Sequence, residues 1–137
     1  MAKETPRAKA LRLLQQLVRM KAADDHGMVT CVTCNTPVHY KDADGGHFIP
    51  KGSSSRWALE ECNVHPQCKG CNGFGMKYGS AAQNYTLYMI EMYGKDWVEN
   101  MLATKNDVHK LYKADYDDMI EEFNRQIKEH QERLKCT

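Results

Sequence analysis

No apolar stretch in this 137-residue chain is long enough to cross a bilayer, and its composition is that of an ordinary soluble protein. Met1 to Arg7 carry neither the apolar segment nor the small-residue cleavage site of a secretory signal. Internal repeats and long low-complexity tracts are missing too, so a repeat array is excluded. Net charge is only +1, and the total therefore gives no general attraction to nucleic acid. These absences leave one small domain, or one small core with helical additions, expected in a reducing cytoplasm. There the six cysteines read as metal ligands before they read as disulfides.

Four of the six form two knuckle-like pairs, Cys31-Val32-Thr33-Cys34 and Cys68-Lys69-Gly70-Cys71. Thiolates two residues apart fit a tight turn, and two such turns close a tetrahedral zinc site. The gap between the pairs leaves room for a β-hairpin and loop, as in treble-clef modules where the second knuckle opens a helix. Redox chemistry at one pair is the rival reading, but neither pair has the strand-to-helix context of a thioredoxin motif. In a chain this small the zinc is structural and supports folding. Cys62 reads as a small buried residue and Cys136 as a terminal one.

Charge is unevenly spread although its sum is small. Residues 1–22 hold Lys3, Arg7, Lys9, Arg12, Arg19 and Lys21 against the single acid Glu4. The cysteine region adds Lys41, Lys51, Arg56, Lys69 and Lys77, and acids gather after residue 90. Of these, Lys9, Arg12, Lys51, Arg56, Lys69 and Lys77 are the candidate phosphate contacts for a DNA partner. A solvated helix face gives the same charge pattern, so charge alone names no partner.

Thr5-Pro6 predicts a capped helix start, and Leu11, Leu14, Leu17 and Val18 fall on one side at helical spacing. Asp24 to Gly27 stops it. Met28 to Tyr40 reads as strand, knuckle and returning strand, and Asp44-Gly45-Gly46 as a glycine-rich loop before His47. Ala81 to Tyr93 is amphipathic, Gly94 stops it, and Trp97 to Leu102 continue as another short helix. A long helix runs from about Ala114 with Met119, Ile120, Phe123, Ile127 and Leu134 as its apolar stripe. The organisation expected is a basic helix over 1–27, a zinc-bound core over 28–80 and a helical region over 81–137. The fold class is α+β. The Met119, Ile120, Phe123 and Ile127 stripe offers either a homodimer surface or packing onto its own domain.

Between the knuckles stand His47, Asn63 and His65, and Asn72 directly follows the last cysteine. Gly46-His47-Phe48-Ile49, with Asn63 sixteen residues after His47 and Asn72 nine further on, resembles the His-Asn-His/Asn pattern of HNH nucleases. The stretch Asn63-Val64-His65-Pro66-Gln67-Cys68-Lys69-Gly70-Cys71-Asn72, with the basic helix and first knuckle before it, is similar to the phage NinG/Rap recombination endonucleases. That resemblance implies a treble-clef, ββα-metal (HNH-like) core and a cytoplasmic phage protein acting in a bacterial host. It implies cleavage of branched DNA such as Holliday junctions by metal-assisted phosphodiester hydrolysis.

In the roles so implied, neutral His47 accepts a proton from the attacking water, and Asn63 orients His47 through hydrogen bonds. Asn72 supplies an oxygen to a catalytic Mg²⁺ or Mn²⁺ distinct from the zinc. Many HNH enzymes place aspartate just before the general base as a second ligand, and Gly46 stands there in this chain. Asp44, reached through permissive glycines, is the favoured substitute because Mg²⁺ prefers oxygen; His65 is the other candidate. If neither reaches, a non-catalytic treble-clef DNA-binding protein becomes the alternative. A zinc-scaffolded protein-interaction module is a third reading, against which the basic helix counts.

Overall fold

The computed structural model describes residues 3–135, so Cys136 lies outside the described residues. Helix α1 spans Pro6–Ala22, with Thr5 Oγ1 accepting from the N–H of Ala8 at 3.1 Å and proline in its first turn. Arg19 and Lys21 in its last turn favour the negative end of the helix dipole. Asp24 Oδ1 then accepts from the N–H groups of His26 and Met28, and Gly27, at φ +80°, turns the chain into a strand.

Two antiparallel hairpins follow. In the first, β1 (Met28–Thr30) pairs with β2 (Pro37–His39), and the first cysteine knuckle is the turn between them. Asn35, at φ +63°, takes the left-handed conformation that closes this knuckle, and its N–H reaches Cys31 O at 2.8 Å. In the second, β3 (Asp44–His47) pairs with β4 (Val64–Gln67) in the register Asp44 to Gln67 and Gly46 to His65. The N–H of Val32 donates to Pro66 O at 3.0 Å and ties the two hairpins together.

After β4 the chain turns through the second knuckle into a widened helical turn, Cys71–Gly75, and the one-turn helix α2 (Met76–Tyr78). Such widened turns replace regular helix where side chains must be re-aimed. Helices α3 (Ala81–Tyr93) and α4 (Lys95–Ala103) meet at Gly94, whose φ of +90° suits a residue without Cβ. The chain closes with α5, Lys113–Leu134, whose Asp115 side chain accepts from the Tyr112 N–H at 2.8 Å.

Leu13, Leu17, Met20, Val29, Ile127 and Leu134 form one core cluster, with Ile120 and Phe123 packed on it. Helices α1 and α5 therefore lie side by side. Arg133 donates to Met20 O at 2.8 Å, so their C-terminal ends meet. Ile120, Phe123 and Ile127 of the apolar stripe pack on α1 within the chain. A second cluster, Phe48, Ile49, Trp57, Tyr85, Met89, Val98 and Met101, joins the long β3–β4 loop to α3 and α4. Each fully buried side chain of this size contributes about 1.5–3 kcal/mol. The three expected segments are interleaved, because α1 packs on β3, β4 and α5 alike.

Candidate metal centre and active site

The four knuckle cysteines meet. Their Sγ atoms all lie within 4.8 Å of one another, with Cys34 and Cys68 3.8 Å apart. Tetrahedral zinc with 2.3 Å bonds to sulfur needs S···S edges of about 3.8 Å, so the group can hold a zinc ion. Burial pushes the Cys71 thiol up to about 12, and its contacts with Cys68, Cys34 and Cys31 add to this. At Cys31 burial acts in the same direction, but hydrogen bonds from Thr33 and nearby backbone N–H groups outweigh it and bring the thiol down to about 6. Thr33 Oγ1 sits 3.3 Å from Cys31 Sγ, and the Cys71 N–H donates to Cys68 Sγ at 3.5 Å. Cys62 is half-buried and outside the cluster.

His47 ends β3, and its Nε2 lies 2.8 Å from Ala58 O. A carbonyl oxygen only accepts, so Nε2 carries the hydrogen and the neutral ring has its lone pair on Nδ1. Burial lowers the His47 pKa and the nearby charges of Lys51 and Arg7 lower it further, against the smaller opposing pull of the Ala58 carbonyl. The ring is thereby kept neutral near pH 7.

Asn63 is fully buried and bonds the loop rather than the imidazole. Its Oδ1 accepts from the Ile49 N–H at 2.8 Å, and its Nδ2 donates to Ile49 O at 2.9 Å and Trp57 O at 3.1 Å. The expectation that Asn63 bonds His47 is corrected to an indirect one. Asn63 draws Ile49 and Trp57 together across the loop, and Ala58, next to Trp57, holds the ring.

Asp44 and Asn72 do come together: Asn72 Nδ2 donates to Asp44 Oδ2 at 3.1 Å, and Lys69 Nζ to Oδ1 at 2.8 Å. Burial acts to raise the Asp44 pKa, but the bonds from Lys69 and Asn72 outweigh it and hold the carboxylate below its ordinary range. Gly46 faces the same group. A Cβ there would collide with Gln67 Oε1 and come within 2.9 Å of Asn72 Oδ1. Gly45 faces the other way, onto α1, where a Cβ would sit 2.6 Å from Gln15 Cβ.

Both ring nitrogens of His65, the other candidate ligand, meet tyrosine hydroxyls. Tyr85 spends its hydroxyl hydrogen on Gly46 O at 2.7 Å, so it accepts from His65 Nδ1 at 3.1 Å. Nε2, left as acceptor, meets the Tyr93 hydroxyl at 2.8 Å. With both nitrogens engaged and the ring buried, desolvation brings its pKa down to about 4.

On the α1 side of β3 an open groove of about 490 Å³ is lined by His47, Arg7, Arg12, Lys51, Gln15 and Gly45. Arg7 donates to Lys51 O at 2.8 Å, which ties the helix start to the loop after His47. The six candidate phosphate contacts are not gathered at one place. Arg12 is paired with Glu4, Arg56 is paired with Glu60 and stacked 4.0 Å over Trp57, and Lys69 is paired with Asp44. Lys51 lines the groove, and Lys9 and Lys77 are exposed on α1 and α2. In the sequence Arg7 stands out only as one of the basic residues and Gln67 only as part of the Asn63 to Asn72 stretch, neither with a site role. The available signal for Gln67 was its place two residues after His65 on one strand, across from Asp44 and diagonal to Gly46, which has no side chain.

Among the described residues no helix is long and apolar enough to cross a membrane. Searches of the curated proteins and of the solved structures gave no significant match. The family model NinG, described as Bacteriophage Lambda NinG protein, matches residues 3–133. That match spans the basic helix, both knuckles, the β3–β4 hairpin and nearly all of α5, and the chain belongs to the NinG family.

Proposed function

We propose that this protein is an HNH-type DNA endonuclease built on a treble-clef zinc frame, and that it nicks branched recombination intermediates such as Holliday junctions. The observation that carries the reading is His47. Its Nε2–H is committed to Ala58 O, its charge is suppressed, and it lines a groove with Arg7, Arg12 and Lys51. A neutral imidazole with one free lone pair beside cationic side chains suits proton abstraction from a water next to a phosphodiester.

The oxygen donors fit a hard divalent cation. Asp44 is ionised and adjoins Asn72, and Gln67 Oε1, which is buried without a hydrogen-bond partner among the described residues, faces the same place. Asp44 and Asn72 would hold Mg²⁺ or Mn²⁺, which when bound neutralises phosphate charge and stabilises the leaving oxygen. His47 and Asp44 lie about 10 Å apart along β3. The strand turns Gly45 toward α1, where its N–H donates to Gln15 Oε1 at 3.3 Å, and Gly46 toward Asn72. A phosphodiester lying across β3 would reach both faces. His47 would take the water proton on Nδ1, Lys69 and Arg7 would counter phosphate charge, and Asn63 would keep the loop from drifting.

Gly46 favours one rival, a DNA-binding protein that does not cut, since the acidic side chain of many HNH enzymes is missing there. The test is cleavage of matched junction, flap and linear duplex with Mg²⁺, Mn²⁺ or EDTA. The proposal expects metal-dependent nicking of the junction that His47→Ala removes while zinc content and fold persist. Salt-sensitive binding with no cleavage under any divalent metal would establish the rival.

A further inference from the structure

We propose that Gln67, through Oε1, is a third protein ligand of the divalent cation assigned above to Asp44 and Asn72, filling the place of the acidic side chain that Gly46 lacks. This rests on that cation site being real. Gln67 is fully buried, and its Oε1 is the one buried side-chain polar atom without a hydrogen-bond partner among the described residues. A buried oxygen left without a partner is costly, and one that no protein group meets calls for an ion or water. It occupies the space where a Cβ of Gly46 would stand, and Asn72 Oδ1 approaches the same point to 2.9 Å. Two amide oxygens aimed at one point repel each other, and a cation between them turns that repulsion into coordination. Position 46 directly precedes His47, so this pair of oxygens lies closer along the strand to the imidazole than Asp44 does.

The amide is held in this orientation by the zinc frame. Gln67 Nε2 donates to Thr33 Oγ1 at 3.1 Å, and that hydroxyl lies 3.3 Å from Cys31 Sγ. A thiolate ligand has no hydrogen to give, so the Thr33 hydroxyl must donate to it and accept from the Gln67 NH₂ group. The oxygen end of the amide is then turned toward Gly46 and Asn72. Flipping the amide would set its NH₂ toward Asn72 and break the chain at Thr33. The same logic accounts for glycine at position 46, since any side chain there would displace Gln67.

The experiment is Mn²⁺ titration of zinc-loaded protein, followed by electron paramagnetic resonance of free Mn²⁺, with zinc content and thermal unfolding measured alongside. Gln67→Met keeps length and removes the oxygen; it is expected to weaken Mn²⁺ binding roughly tenfold or more with zinc retained. Thr33→Val should weaken it in the same direction, and Gln67→Glu should bind Mn²⁺ more tightly than the wild type. If Gln67→Met fails to fold, Gln67→Glu decides, and weaker binding there overturns the assignment. Unchanged affinity in Gln67→Met beside lost binding in Asn72→Ala would overturn it while leaving the cation site standing. Wild-type protein that binds no Mn²⁺ would remove both.

Discussion

Asn63→Ala separates the loop clamp from the chemistry it supports. The substitution removes two donated bonds and one accepted bond, all to backbone groups of Ile49 and Trp57, which are themselves buried. Trp57 O still accepts from the Glu60 N–H at 3.2 Å, whereas the Ile49 N–H and C=O lose the partner that satisfies both. Two orphaned buried groups cost about 1–3 kcal/mol each and the third bond about 1 kcal/mol, which gives a loss of about 3–7 kcal/mol. A small domain has only about 5–15 kcal/mol in total, so urea unfolding of zinc-loaded protein should show a large drop in midpoint. A second readout tracks the loop itself. When the loop slackens, Ala58 releases the ring, water reaches His47, and its pKa, followed by proton NMR, moves up toward the ordinary histidine value. A loss below about 1 kcal/mol with an unmoved His47 titration would refute the clamp, since that is the net worth of a single replaceable bond.

The buried His65 makes stability sensitive to acid. Its folded pKa of about 4 lies below the unfolded histidine value, so the unfolded chain binds the extra proton first. Stability is full above about pH 6.5 and falls as pH drops toward 4, by up to about 3 kcal/mol; denaturant midpoints across that window should flatten in His65→Gln. Stripping the metal with a chelator should release one zinc per chain and melt the knuckles with the β3–β4 hairpin. An unchanged circular dichroism spectrum and melting midpoint in zinc-free protein would contradict a structural zinc. Arg7→Ala should weaken binding to all DNA sequences alike and reduce the slope of log K against log salt by roughly 0.9; an unaltered slope would place the phosphate path away from the α1 groove.

Local features were legible because each is written in neighbouring residues. Thr5-Pro6 announces the start of α1 through a side-chain cap and a preset backbone angle, and the helix begins at Pro6. The expected long helix from Ala114 begins one residue earlier, at Lys113. The cysteine spacing foretold that four sulfurs would meet, since each pair closes its own short turn. Which partner a face takes is not written locally. The α5 stripe says that Ile120, Phe123 and Ile127 are buried but not whether another molecule or α1 buries them. His65 could not be judged from its motif, because the hydroxyls that occupy it come from Tyr85 and Tyr93, on a helix that starts sixteen residues later. Within the amphipathic α3, Met89 is buried while Met92, three residues on, is 56 % exposed. Gln67 was hidden for a different reason. Its role depends on a side chain that is missing from the facing strand, and an absence across a hairpin becomes visible only once the register is known.

The pairing of α1 with α5 sets an order of events during synthesis. Helix α1 carries the apolar stripe Leu13, Leu17 and Met20, and its cover, Ile127 and Leu134, leaves the ribosome much later. Both knuckles are complete once Cys71 has emerged, so metal capture can precede closure of the hydrophobic core. Between those two events the nascent chain carries one greasy helix uncovered, a window in which chaperones or early zinc loading decide between folding and clumping.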